Sequence, residues 1–198
     1  MKSDKKYSTI ILSAGKSTRM GVPKFSLKFN KTTTFLENII NEYSTFGCEE
    51  IVVVLNPDSV AFLEQLKLKF PRNIKIAINE HPEWERFYSI KIGAKSLNSV
   101  IPVFISNIDN PFVNKKVIES LALSSESADY VYPIFNGKGG HPFLLSAKVI
   151  TDLSTEDKDQ IHLKEFLGRY SKNTVEVNDE KILANINTHE EYRRFFNH

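Results

Sequence analysis

Residues 7–24 read Tyr7-Ser8-Thr9-Ile10-Ile11-Leu12-Ser13-Ala14-Gly15-Lys16-Ser17-Thr18-Arg19-Met20-Gly21-Val22-Pro23-Lys24. The apolar, strand-like run through Leu12 gives way to Ser13, Ala14 and Gly15, small residues that let a ligand approach the backbone closely. Gly15 and Gly21 permit unusual backbone angles, and Pro23 restrains the chain just before Lys24. Arg19 offers a planar fork suited to phosphate oxygens, and Lys24 a compact charge. The loop lacks the Walker A spacing and the Gly-x-Gly-x-x-Gly dinucleotide fingerprint. Two readings stand: a solvated loop with incidental basic residues, or a place where backbone N–H groups and two cations converge on the phosphates of a nucleotide.

Outward from this loop, apolar β-rich runs alternate with helical patterns. Strands are expected at Ser8–Leu12, Glu50–Leu55, Ile74–Asn79, Val100–Ser106, Ala128–Phe135 and Thr174–Val177. Ile51-Val52-Val53-Val54-Leu55 is apolar throughout, as in a parallel strand covered on both faces. Helices are expected at Thr34–Phe46, with Gly47 as the stop, and at Asp58–Phe70, Ser89–Leu97 and Asn114–Leu123, with a last one from about Thr188. Such alternation predicts an α/β protein with a mostly parallel sheet between helical layers, whose ligands sit at the carboxyl ends of the strands.

The 198 residues are 41% hydrophobic and 25% charged, enough for one domain spanning 1–198 with a substantial core. With 26 Lys and Arg against 24 Asp and Glu, the net charge is only +2, which argues against a general nucleic-acid binder. Any phosphate affinity must be local. One cysteine, Cys48, excludes an intramolecular disulfide and a cysteine-based zinc cluster. No apolar run has membrane-spanning length, and Met1–Lys6 lacks the pattern of a signal peptide, so a cytoplasmic setting is expected.

A second strand end carries chemistry: Ser106-Asn107-Ile108-Asp109-Asn110-Pro111. Asp109 could hold a hard cation such as Mg²⁺ together with substrate phosphates, or it or Asn110 could cap a helix beginning near Pro111. Ser89 is a candidate helix cap that also contacts a base or phosphate. Asn136-Gly137-Lys138-Gly139-Gly140-His141-Pro142 reads as a hairpin turn.

The run Leu12–Lys24 resembles the signature of nucleotidyltransferases that build nucleotide-linked small molecules, Leu-Ala-Ala-Gly-x-Ser-x-Arg-Met-Gly-x-Pro-Lys, with Ser13 in place of one Ala. It is most similar to the molybdenum-cofactor cytidylyl- and guanylyltransferases of the MobA-like superfamily. The resemblance implies a Rossmann-like three-layer αβα fold of the GT-A-like type. It implies a nucleoside triphosphate with its base near Leu12, Ser13, Ala14 and Gly15 and its phosphates near Ser17, Arg19 and Lys24. Asp109-Asn110-Pro111 is similar to the family's Asp-Gln-Pro, which makes Asp109 the principal Mg²⁺ ligand. Asn187, in Asn185-Ile186-Asn187-Thr188, stands where cytidylyl members carry a second metal-assisting Asp; a helix N-cap or turn is its other reading. Asn79, Trp84 and Ser89-Ile90-Lys91-Ile92-Gly93 fit a further family segment, with Asn79 and Ser89 on the nucleotide side. Arg86, Phe87 and Tyr88 replace its Gly-rich turn, and Phe87 reads as core.

The turn through Gly140 and His141 resembles the family's Gly-x-x-Gly-His-Pro on the acceptor side. The family's Gly-Asp-x-Gly-x-Arg is missing from Glu156–Leu167. The implied activity is transfer of NMP from an NTP to a small phosphorylated acceptor with release of pyrophosphate, the catalytic set being Arg19, Lys24 and Asp109. The first loop leans cytidylyl and the Asn-x-Asn-Thr segment guanylyl. A nucleotide-binding protein without catalysis, and transfer to sugar or polyol phosphates, remain open as alternatives.

Overall fold

The computed structural model describes residues 5–66, 68 and 70–196. Met1–Asp4, and Lys67 and Lys69 of the expected helix Asp58–Phe70, lie outside the described residues. In chain order the elements are β1 (Ser8–Ser13), α1 (Phe35–Phe46), β2 (Ile51–Leu55), α2 (Pro57–Leu66), β3 (Ile74–Ile78), α3 (Glu85–Lys95), β4 (Val103–Asn107), α4 (Lys115–Leu123), β5 (Tyr130–Phe135), β6 (Lys138–Gly139), β7 (Phe143–Leu145), α5 (Ala147–Thr155), α6 (Leu163–Leu167), β8 (Lys172–Glu176) and α7 (His189–Phe195).

One sheet runs β3-β2-β1-β4-β7-β5, with β6 and β8 also paired to β5. The strands β3, β2, β1 and β4 are mutually parallel. β7 enters antiparallel to both β4 and β5. β8 runs parallel along β5. The result is an α/β fold with a mixed, mostly parallel sheet. β1 and β2 are buried on both faces because their residues alternate between two cores. Ile11, Val53 and Leu55 pack on one side with Leu36 and Ile40 of α1 and Ile118 of α4. Ile10, Leu12, Val52 and Val54 pack on the other with Ile90 of α3, Val149 of α5 and Phe166 of α6. At roughly 25 cal/mol per Å² of apolar area removed from water, these two cores supply most of the driving force for folding.

Local signals place the helix starts. Thr34 and Thr188 each form a capping box, with Glu37 and Glu191. Asn114 caps α4 through its side chain. Asn136 (φ 49°) and Gly137 (φ 73°) turn β5 into β6, the Asn-Gly hairpin that needs two left-handed residues.

Several expectations are corrected. The strand expected from Val100 begins at Val103, since Val100 is exposed. α3 begins at Glu85, so Ser89 lies inside the helix and its Oγ donates to the Glu85 carbonyl (3.2 Å) instead of capping it. The helix after Asp109 starts at Lys115, so neither Asp109 nor Asn110 is its cap. β7, α5 and α6 were not expected.

Candidate active site

The site is assembled where the loops after β1 and β4 meet the segment before α7. The Ile108 N–H donates to the Leu12 carbonyl (3.1 Å), which sets the two loops side by side. Asn56 steadies the first loop by donating to the Ala14 carbonyl (2.8 Å) while its own Oδ1 accepts from Ser59 N–H at the start of α2 (2.7 Å). Ser17, not Gly15, takes the left-handed conformation (φ 49°, ψ 28°), and Gly21 also has positive φ (66°). The Ser17 hydroxyl then accepts from the Lys24 N–H (3.3 Å), folding the loop back on itself.

Lys24 Nζ donates to Asn187 Oδ1 (2.6 Å). Next to it, the Ile186 N–H donates to the Asp109 carbonyl (2.7 Å). Asn187 does not cap α7; Thr188 does, and the Asn187 N–H donates to Glu191 Oε2 (2.7 Å). Burial lowers the Lys24 pKa, with the Arg19 charge acting the same way and the Asp109 and Glu191 charges opposing. Arg19 itself is exposed on the short turn Thr18–Met20.

Asp109 carries the decisive polar atom. Its Oδ1 is buried with no hydrogen-bond partner among the described residues. A buried carboxylate oxygen left unpaired costs free energy on the order of 1–3 kcal/mol or more, so a cation there would offset a real penalty. Its neighbour Asn110 is satisfied: Nδ2 donates to the Lys181 and Ile182 carbonyls (3.1 and 2.9 Å) and Oδ1 accepts from Phe112 N–H (3.2 Å). Asp109 and Asn187 are oxygen donors suited to a hard divalent cation, with a single carboxylate between them. No group of three or more His, Cys, Asp or Glu is placed to hold a metal among the described residues.

A cleft of about 880 Å³ opens from this point. Leu12, Ala14, Gly15, Ser17, Lys24 and Asp109 line one end. The rest is lined by Pro82, Glu85, Arg86 and Ser89, by Tyr130, Tyr132, His141 and Phe143, and by residues of the 162–172 stretch. Of the expected site residues, Ser13, Arg19, Asn79, Gly140 and Asn187 do not line it. Ser13 is buried in β1. Asn79, fully buried, acts one step back: its Nδ2 donates to Ser89 Oγ (2.9 Å) and its Oδ1 accepts from His81 N–H (2.8 Å). Gly140 is explained by packing, since a Cβ there would meet the Ile182 carbonyl at 2.6 Å. His141 does face the cleft, and the Asn107 amide nitrogen lies 3.1 Å from its Nε2. Burial, reinforced by the Arg86 charge, holds its pKa down at about 4, so the ring is neutral near pH 7.

Trp84 stacks on His81 (centroids 4.0 Å apart) at the start of α3, and Phe87 is core, packed on Phe166 (5.0 Å). Immediately before Arg86, Glu85 adopts φ 62°, ψ −160°, a region that favours glycine. The segment before α6 is tied to α3 by the buried Lys91, which donates to Asp159 Oδ1 (2.7 Å) and to the Glu156 carbonyl. Arg86, Lys164, Lys172, Tyr130 and Tyr132 are cleft residues that sequence reasoning missed; two tyrosines at period 2 on one strand were the available signal.

Several solved structures share this fold. Rv0371c from Mycobacterium tuberculosis superimposes with a TM-score of 0.80 at 19% identity, covering 98% of each chain. A structure of Rv0371c described as a complex with manganese gives 0.75 at 18%, covering 96% of this chain and 97% of that one. Molybdopterin-guanine dinucleotide biosynthesis protein A from Archaeoglobus fulgidus gives 0.70 at 18%, covering 95% and 96%. No curated protein matches. A family model described as the MobA-like NTP transferase domain matches residues 9–175, which take in β1, the first loop and Asp109. The chain therefore belongs to the MobA-like NTP transferase family and is a nucleotidyltransferase.

Proposed function

We propose that the protein transfers NMP from an NTP, CTP or GTP, to the phosphate of a small acceptor, with Mg²⁺ as cofactor. The observation that carries this reading is the buried, unpartnered Oδ1 of Asp109 at the cleft end where Lys24 is held by Asn187. Leu12, Ala14 and Gly15 would receive the base, and Ser17, Lys24 and the exposed Arg19 the triphosphate. Asn79 would position Ser89 for the nucleotide. Asp109, with Asn187, would hold the divalent cation, which when bound supplies charge neutralisation at the phosphates.

An acceptor phosphate oxygen attacks the α-phosphorus in line; the bond from the α-phosphorus to the bridging oxygen breaks, and pyrophosphate leaves. The attacking phosphate is already anionic, so no general base is required. This chain's own groups then work by positioning and by charge. Lys24 and Arg19 hold the triphosphate, and the neutral His141 ring hydrogen-bonds on the acceptor side.

The test is pyrophosphate release with each NTP, Mg²⁺ and a panel of phosphate monoesters that includes sugar and polyol phosphates. Asp109→Ala abolishes release without lowering the melting temperature, and Lys24→Ala lowers it by about 10²–10³. Wild-type-like release by Asp109→Ala refutes the assignment. The single carboxylate at the metal position favours one second reading, a nucleotide-binding protein without turnover. That reading predicts a thermal shift with an NTP and no pyrophosphate from any acceptor.

A further inference from the structure

The cleft continues well beyond the nucleotide end. Asn107, at the end of β4, meets His141, and β7 then descends antiparallel along β4. Tyr130 pairs with Leu145, four positions along the chain from His141. The His141 ring lies 6.0 Å from that of Phe143, and Phe143 lies 5.3 Å from Tyr130, so the floor from His141 to Tyr130 is at most about 11 Å long. It is aromatic along its length. Tyr130 and Tyr132 share one face with centroids 5.0 Å apart, and Tyr130 meets Phe143 edge-on at 5.3 Å.

Three cations line the cleft around this floor. Lys172 of β8 pairs with Tyr130 in the sheet register, Lys164 comes from α6, and Arg86 comes from the first turn of α3. Arg86, His141 and Tyr130 line the same cleft, and the Arg86 charge acts on both of the others. None of the three side chains makes a hydrogen bond or ion pair among the described residues, although ion pairs occur elsewhere on the surface. Among the described residues, Glu85 is the one carboxylate lining the cleft away from Asp109. Unpartnered cations around an aromatic trough match a ligand that brings its own negative charge.

We propose that the acceptor is two-ended. Its reacting phosphate lies at Asp109, its ring-bearing body lies over Tyr130 and Tyr132, and a second anionic group is held by Arg86, Lys164 and Lys172. This rests on the nucleotidyl-transfer reading above. The length of the floor sets the separation of the two anions, and excludes compact acceptors whose charges are all on one phosphate.

Three probes test it by calorimetry with Mg²⁺ present: biphenyl-4-yl phosphate, 4′-carboxybiphenyl-4-yl phosphate and biphenyl-4,4′-diyl bisphosphate. The wild type binds at least one of the doubly anionic probes about tenfold or more tighter than the plain one. Which of the two gains says whether the distal group is a carboxylate or a phosphate. In Lys164→Met/Lys172→Met, both positions being exposed, the gain disappears while the melting temperature is kept. Equal affinities, a gain that survives in the double variant, or no binding of any probe overturns the proposal. Titration of the wild type with CTP and GTP is the separate arm. Failure to bind either refutes the nucleotide reading, whereas nucleotide binding without a distal-anion gain refutes this inference alone.

Discussion

Stability of this protein should fall on mild acidification through one ring. His141 is pressed between Phe143 and the Asn107 amide, with the Arg86 charge acting on it, and its pKa is lowered from 6.5 to about 4. Burial disfavours the charged ring and the Arg86 guanidinium repels it, so the folded chain resists the proton. The unfolded chain accepts the proton first as the pH falls. Stability is therefore complete above about pH 6.5 and is lost between that value and about 4. The full difference corresponds to about 3 kcal/mol, of which about 2.5 kcal/mol is lost by pH 4.5. His141→Gln retains a polar side chain facing Asn107 and cannot titrate. Urea unfolding of both proteins at pH 7.5 and 4.5 gives the comparison, with the variant's own offset cancelled by taking the pH difference. A wild-type loss no larger than that of His141→Gln would refute the buried neutral ring.

Two further outcomes follow from the same geometry. Asn187→Asp adds a carboxylate beside Lys24 and near Asp109, and a unit charge about 4 Å from a divalent ion is worth about 2 kcal/mol even with water-like screening. Mn²⁺ affinity followed by electron paramagnetic resonance should tighten by about tenfold after competition from Lys24, and an unchanged affinity counts against Asp109 and Asn187 as neighbouring ligands. Glu85→Gly relieves a conformation that costs a non-glycine residue on the order of 1–3 kcal/mol. Chemical denaturation should show a gain of about 1 kcal/mol after the entropy cost of glycine; a loss would mean that the Glu85 side chain contributes more than its backbone costs.

What could be read from the chain alone follows from the range of each signal. Thr34, Asn114 and Thr188 announce helix starts within three residues of themselves, and all three cap as the local pattern demands. The all-apolar run Ile51–Leu55 states its burial outright. β7 has only three residues and α6 five, too short for either to display a period. α5 does carry a local signal, the Ser146 cap and the spacing of Val149, Ile150 and Leu153, but at nine residues it is short. At the site, local spacing gave Asp109 two readings of equal standing, metal ligand or helix cap; the resemblance favoured the first, and the start of the next helix at Lys115 removes the second. Arg86 was visible as a departure from a pattern. That it lines one cleft with His141 and Tyr130 depends on how α3 crosses the sheet, which no local spacing encodes.

The contact between Lys24 and Asn187 spans 163 positions of sequence. Its consequence concerns synthesis. The first loop is made 163 positions before Asn187, and its lysine stays without that amide partner until then. The neighbouring bond from Ile186 to the Asp109 carbonyl has the same dependence. Nascent chains that have completed the parallel strands can bury much of their core before the segment around Asn187 reaches Lys24. The arrangement around Lys24 and Asp109 is thus completed only when residues 186 and 187 have been made and have folded back onto the two loops.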